Sequence, residues 1–247
     1  MPTIDLFLKS YKKDFWLLYF ALATIKKNVT GYDNLILLIP EHEKHEFDTR
    51  NLPERTLIHY VKDDFGDGWL RQQWFKISAY NYSFSDYIMF TDSDCFFTYP
   101  VDIRDAINNG KPEILYTSWD KVDQAITWKE PTERILGCPA KFEYMRRNQL
   151  CYHRDSLIHI GQWRPDLETL IMRSEKFSEF NLIGAYCNVF ENDKYTWTNT
   201  DDWQYIPPLA EQVWSHSNKE KGASETHHLE YIRLLETLLK AFNIIVP

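Results

Sequence analysis

"YIMFTDSDCFF", residues 87–97, sets two carboxylates one residue apart at the end of an apolar run. Tyr87 to Phe90 read as a buried strand, and Asp92 and Asp94 stand at its mouth. A carboxylate taken out of water without a partner is costly, so the pair needs a cation, a hydrogen-bond network or solvent at a sheet edge. Two acidic oxygens at i and i+2, on a chain leaving a strand, can face one hard cation such as Mg2+ or Mn2+. Chance alone produces a bare D-x-D in many chains of this length, so the flanking sequence has to decide.

Upstream of the pair, strand and helix signals alternate. "TIDLFLKS" (3–10) reads as a strand, followed by a helix from Asp14 to about Lys27 with Trp16, Phe20 and Ala23 on its apolar face. "GYDN" is turn chemistry, "LILLIP" (35–40) is a wholly apolar strand closed by Pro40, and "RTLIHYV" (55–61) is a third strand. A helix over Gly68–Tyr82 leads into the fourth strand, "DYIMFTD". Strands that are apolar at nearly every position and are separated by helices predict an α/β fold with a mostly parallel central sheet flanked by helices. Ligands of such sheets bind beyond the carboxyl ends of the strands. Asp92 and Asp94 occupy such an end, as do Ser10, Tyr11 and the Lys62-Asp63-Asp64 run, so these residues form a candidate ligand-binding set.

Beyond residue 100 the pattern loosens. "PEILYTSWD" (112–120) is another strand, residues 120–165 read as short elements and polar loops, and Ser224–Phe242 reads as a helix with Leu229, Ile232, Leu235, Leu239 and Phe242 on one side. No repeat or low-complexity linker divides the 247 residues, which predicts a single domain, 1–247, with a nucleotide-binding half over 1–100 and an acceptor-side half over 101–247. A net charge of −8 argues against polyanion binding over the whole surface. The aromatic share of 16% suits a flat-ligand or carbohydrate site and equally a well-filled core. Cys95, Cys138, Cys151 and Cys187 contain no C-x-x-C pair, so they read as reduced, mostly buried thiols rather than a zinc or disulfide framework. No apolar run approaches the length of a membrane span and "MPTIDLFLKSYKKDF" has no signal-peptide core, so a cytoplasmic protein is expected.

Three further segments carry polar chemistry. In "GWLRQQWFKISAY" (68–80), helical spacing puts Gln72, Gln73 and Lys76 on one side, a set of donors suited to a phosphate or sugar hydroxyls, or simply a solvated face. In "KFSEFNLIGAY" (176–186), Glu179 is either a reactive carboxylate or an inert acid favoured by a helix N-terminus, and Asp201 and Asp202 of "TNTDDW" are further acids. Residues 141–164 hold Lys141, Arg146, Arg147, Arg154 and Arg164 against Glu143 and Asp155, a local excess of +3, with His153 and His159 among them. Such a patch suits a phosphorylated or nucleic-acid ligand, or is a solvated cationic surface.

The strand-delivered D-x-D resembles the corresponding region of GT-A glycosyltransferases, and the chain is similar over about residues 3–220 to small bacterial and viral members of that fold. The resemblance implies a GT-A-type nucleotide-sugar transferase fold and a metal-dependent hexosyl or pentosyl transfer from a nucleotide sugar, a UDP-sugar by default. It implies Mn2+ or Mg2+ held by Asp94 directly and by Asp92 directly or through water, with Asp92 also near the ribose or donor sugar. An R-Q-Q…K helix against the donor is matched by Arg71, Gln72, Gln73 and Lys76, and a late metal-binding histidine by His216 of "WSHSN". Glu179, or alternatively Asp202, would act on the acceptor hydroxyl. Arg146, Arg147, His153 and Arg154 would face the acceptor. That acceptor is expected to be a saccharide or, by likeness to virus-encoded enzymes, a hydroxymethylated cytosine in phage DNA, which would place the chain in a bacterial cytoplasm. Two readings compete. A haloacid-dehalogenase-like phosphotransferase also begins from a strand ending in D-x-D, although its motif opens the domain and is not followed by Cys95-Phe96-Phe97. A non-catalytic sugar-binding module would explain the aromatics but not the clustered metal-type ligands.

Overall fold

The computed structural model describes residues 2–63, 68–123, 125–146, 149–174, 176–204 and 209–212. His216, Arg147, Asp64 and the expected helix over Ser224–Phe242 lie outside the described residues.

The fold is mixed α/β. A five-stranded sheet runs in the order Cys151–His153, Tyr87–Phe90, Ile4–Lys9, Asn34–Pro40, Thr56–Val61. The last four are parallel, and Cys151–His153 joins antiparallel to Tyr87–Phe90. The central strand Ile4–Lys9 is buried along its whole length. Its alternating side chains feed two cores: Phe7 with Ile36, Leu38, Ile88 and Phe90 on one face, and Ile4, Leu6 and Leu8 with Leu35, Leu37 and Met89 on the other. This is why these strands carry apolar residues without alternation: both faces are covered by other elements.

Helix α1 (Phe15–Asn28) supplies Leu18, Leu22 and Ile25 to the second core. Helix α2 (Gly68–Ile77) lies on the first face and sends Leu70, Phe75 and Ile77 into it. The helical signal expected to run to Tyr82 ends at Ile77, and Ala79–Asn81 form one 3-10 turn. The region read as short elements and polar loops, 120–165, contains α3 (Ile126–Leu136) and α4 (Arg154–Trp163), followed by α5 (Leu167–Met172) and α6 (Glu179–Phe190). Pro131 lies inside α3, where it removes one ladder hydrogen bond and makes "KEPTE" resemble a loop.

The strand expected over 112–120 is Lys111–Tyr116, with Trp119–Lys121 forming a 3-10 turn, and it pairs with Thr196–Asn199 and Ile107–Asn108 in a smaller sheet. Two polar residues in the Ile4–Lys9 strand are satisfied rather than stranded. Asp5 accepts from Asn34 N and Nδ2, each at 3.0 Å, and from Ser83 Oγ at 2.7 Å, while Lys9 Nζ pairs with Asp63 at 2.6 Å. No helix among the described residues is long and apolar enough to cross a membrane.

Candidate functional site

The chain leaves Ile4–Lys9 toward Asn34–Pro40 and Thr56–Val61 on one side, then returns to lay Tyr87–Phe90 on the other. The strand order therefore reverses between Ile4–Lys9 and Tyr87–Phe90, and a crevice opens past the carboxyl ends at such a switch point. Asp92, Ser93 and Asp94 leave Tyr87–Phe90 at that place.

The turn they form is held from several directions. Thr91 N donates to Phe7 O at 3.0 Å and Cys95 N to Asp92 O at 3.1 Å. Phe96 and Phe97 are fully buried, Phe97 N donates to Thr24 Oγ1 at 3.1 Å, and Asn28 Nδ2 donates to Phe97 O at 2.5 Å, both partners being on α1. Cys95–Phe96 also pairs antiparallel with Glu211–Gln212. The aromatic residues after the aspartates thus act as an anchor, and the carboxylates are carried on a rigid turn.

Around Asp92 and Asp94 lies a cavity of about 220 Å³. Helix α2 presents Gln72, Gln73 and Lys76 to it, as their spacing predicts. Lys76 is 4% exposed and its Nζ pairs with Asp92 Oδ1 at 2.7 Å and with Glu179 Oε1 at 2.9 Å. Burial alone would push this ammonium down, but the Asp92 and Glu179 carboxylates outweigh it and hold it above its ordinary value. Gln72 Nε2 donates to Asp92 Oδ1 at 3.0 Å. Gln73 Oε1 accepts the backbone N–H of Glu179 at 3.0 Å, while its Nε2, buried, has no partner among the described residues.

Glu179 opens α6. Ser178 caps that helix by accepting from Asn181 N, and an acid in the first turn is favoured by the helix dipole. Gly184, one turn on, sits against Tyr144: a Cβ there would lie 2.5 Å from the Tyr144 side chain. That close approach brings the neighbouring Met145 to the cavity wall beside Trp128, Phe177 and Phe180.

Asp94 accepts from Gln212 Nε2 at 3.2 Å and from the Cys95 thiol at 3.8 Å. Burial, and then the neighbouring Asp92 carboxylate, raise its carboxyl from 3.8 to about 7. Burial pushes the Cys95 thiol well above its ordinary value, with Asp94 and Asp92 adding to the shift, so the sulfur stays protonated and acts as a donor. The ligand atoms of Asp92, Asp94 and Cys95 lie within 4.8 Å of one another. For a hard divalent cation the fitting donors are the two carboxylates, not the thiol. A carboxyl pushed up by burial and a like charge lacks positive charge, which is what a cation would supply.

A second cavity of about 280 Å³ adjoins the first, sharing Trp69 and Gln72. Its wall includes Lys9, Tyr11, Pro40 and Asp63, which mark the carboxyl ends of the three other parallel strands.

The expected site residues divide accordingly. Gln72, Gln73, Lys76, Asp92, Asp94 and Glu179 line one cavity, with Tyr11 and Asp63 lining its neighbour. Arg71 pairs with Asp63 at 3.5 Å and with Glu168 at 2.5 Å, lies over Phe75, and lines neither cavity. Ser10 is buried and lines neither cavity. Asp202 is exposed and outside both cavities. Its neighbour Asp201 is a structural clamp, accepting from Ser118 N and Thr117 Oγ1 at 2.7 Å and from Ser118 Oγ at 2.8 Å, and these hydrogen bonds, led by Ser118 N, lower its carboxyl to about 2.

Of the expected acceptor residues, the three described ones, Arg146, His153 and Arg154, do not line the cavity. Arg146 Nε donates to the buried Glu143 at 2.5 Å. His153 lies opposite Tyr87, the first residue of the strand whose far end leads to Asp92, and its ring nitrogen meets Lys194 O at 3.2 Å. Arg154 Nε donates to Ser83 O at 2.6 Å and its Nη2 to Tyr80 O at 3.0 Å. These arginines spend their donors on local carboxylates and carbonyls.

Trp128, Phe177, Met145 and Gln212 are cavity residues that the sequence did not single out. Gln212 meets Asp94 across 118 residues of chain through a two-residue strand, which leaves no periodic signal.

No curated protein matches the chain. A family profile does match it over residues 8–152, more than half its length and including all four parallel strands' carboxyl ends and the Asp92–Asp94 turn. The chain belongs to that family, which is described as a family of unknown function, DUF6492.

Proposed function

We propose that this chain is a metal-dependent glycosyltransferase of the GT-A type, moving a sugar from a nucleotide sugar, a UDP-sugar by default, to an acceptor hydroxyl. The observation that carries this reading is the convergence of Asp92, Asp94, Lys76 and Glu179 on one cavity at the reversal of strand order. Asp92 and Asp94 would hold Mn2+ or Mg2+. When bound, that ion supplies charge neutralisation for a nucleoside diphosphate as it departs.

The chain's own residues supply the rest. An ammonium has three N–H donors; Lys76 gives one to Asp92 and one to Glu179, leaving one for a diphosphate oxygen. Because Lys76 is fixed before the reaction, it can meet developing negative charge without reorganising. Gln72 keeps Asp92 oriented, and Gln73 keeps the first turn of α6 in place. Glu179 is thereby positioned to accept the proton of an acceptor hydroxyl, or to orient that hydroxyl. The neighbouring cavity beside Lys9, Tyr11 and Asp63 gives the nucleoside a place contiguous with the diphosphate.

The phosphotransferase alternative would need a second acidic pair late in the chain, for which Asp201 and Asp202 are the candidates, and it is weakened because neither lines the cavity: Asp201 is committed to Thr117 and Ser118, and Asp202 is exposed. A binding module has no need of a buried ammonium shared by two carboxylates. The direct test is a panel of nucleotide sugars scored for hydrolysis with and without Mn2+. Metal-dependent release of one nucleoside diphosphate is expected. Phosphate release from a generic ester in its place would favour the phosphotransferase.

A further inference from the structure

Resting on the transferase reading, we infer that the acceptor is an uncharged carbohydrate that packs on Trp128, and not a phosphorylated sugar or a nucleic acid. Four carboxylates, Asp14, Asp92, Asp94 and Glu179, line the cavity, and Lys76 is the only Lys or Arg among the described residues that line it. That ammonium is already shared by two carboxylates. One divalent cation and one nucleoside diphosphate add charges that roughly cancel. A phosphorylated acceptor would bring further negative charge into a part-buried, acid-rich space where the described residues offer no further cation to receive it, and like charges in such a space are costly. Among the described residues, the arginines expected to face the acceptor are committed elsewhere: Arg146 to Glu143, Arg154 to the carbonyls of Ser83 and Tyr80.

What the cavity offers instead is the complement of a neutral sugar. Glu179 accepts from a hydroxyl. Gln73 Nε2 is a buried donor at the cavity wall with no partner among the described residues, and a hydroxyl oxygen would satisfy it. Trp128, partly packed on the core, stands with Phe177 and Met145 as the apolar wall on which the C–H face of a sugar ring can lie. Polar groups that both donate and accept, next to an indole, match a molecule rich in hydroxyls and free of charge.

The experiment has two arms. Calorimetry of UDP with Mn2+ asks whether the donor site exists and serves as the folding control for variants. A glycan array carrying neutral, sulfated and phosphorylated glycans, together with hydroxymethylcytosine duplex DNA, is then probed with labelled protein loaded with UDP and Mn2+. Binding confined to neutral glycans is expected. It should weaken about tenfold in Trp128→Ala, and far less in Trp128→Phe, while UDP affinity is unchanged. Retained UDP binding with preference for phosphorylated glycans or DNA, or with no glycan bound, would overturn the acceptor assignment alone. So would a Trp128→Ala variant that loses UDP affinity but keeps its glycan. Absence of Mn2+-dependent UDP binding would overturn the transferase reading and the acceptor assignment with it.

Discussion

Lys76 on α2 reaches Glu179 at the start of α6, Nζ to Oε1 2.9 Å, while the same nitrogen holds Asp92 at 2.7 Å. One buried ammonium therefore ties the end of the Tyr87–Phe90 strand to two helices, and the cavity exists only while that tie is intact. Removing one member of a buried ion pair leaves the others as uncompensated charge. Lys76→Met should lower the unfolding free energy by about 3 kcal/mol, measured in urea at neutral pH. An unchanged midpoint would mean that the cavity carboxylates are solvated and that the tie is incidental.

Asp94 gives a prediction with a definite sign. Its carboxyl is raised from an ordinary 3.8 to about 7 in the fold, by burial and then by Asp92. A raised folded value means that the native state keeps a proton the unfolded chain has lost. The associated stability is fully present below about pH 4 and is lost as pH rises toward and through about 7. In the absence of divalent ions, Asp94→Asn should therefore be more stable than wild type at pH 8, on the order of 2 kcal/mol, with the difference vanishing near pH 4. Added Mn2+ should stabilise wild type and not the variant. Equal melting curves at pH 8 would show that Asp94 carries no electrostatic strain.

Glu179→Gln keeps the shape and reach of the side chain and removes the charge. If Glu179 works on the acceptor, transfer should fall about 10²-fold or more while donor binding is nearly unchanged. Near-normal turnover would remove Glu179 from the chemistry. Asp202, exposed and outside the cavity, is not positioned to take its place.

Gly184 tests the packing that brings Met145 to the cavity. A methyl group at this position would meet Tyr144 Cβ and Cγ at 2.5 Å, atoms close to the backbone that cannot swing away. Gly184→Ala should cost about 1–3 kcal/mol in stability, as overpacking does, and weaken acceptor use more than UDP binding. A variant as stable as wild type would mean that α6 can shift without consequence.

What the sequence conveyed and what it hid follow from where the relevant forces act. The strands Ile4–Lys9 and Asn34–Pro40 were legible because burial on both faces writes apolar residues at nearly every position. Gln72, Gln73 and Lys76 were legible because helical periodicity converts spacing into a shared face. Arg71 shares that helix and that motif, yet its side chain belongs to Asp63 and Glu168, contacts fixed by tertiary packing. The +3 excess in residues 141–164 is a count of composition, and charge counts ignore direction. Arg146 and Arg154 turn toward Glu143 and toward the Ser83 and Tyr80 carbonyls. Helix α3 was hidden by Pro131, a local signal that packing against α6 overrides.

His216 lies outside the described residues, so its part as a metal ligand rests on the resemblance alone. If it completes the ion's shell, His216→Ala should weaken Mn2+-dependent UDP binding about tenfold or more without changing the melting temperature of the metal-free protein. Wild-type affinity in that variant would leave the ion to Asp92, Asp94 and water.

On the proposed function, Asp92 and Asp94 hold a divalent cation that in turn holds a nucleoside diphosphate. Titration calorimetry of UDP into wild type and Asp94→Ala, each with Mn2+ and again with EDTA, tests it most directly. Binding is predicted for wild type with Mn2+, and its loss is predicted both in EDTA and in Asp94→Ala, with the variant still folded by circular dichroism. UDP binding of equal strength in EDTA, or wild-type affinity in Asp94→Ala, would contradict the claim.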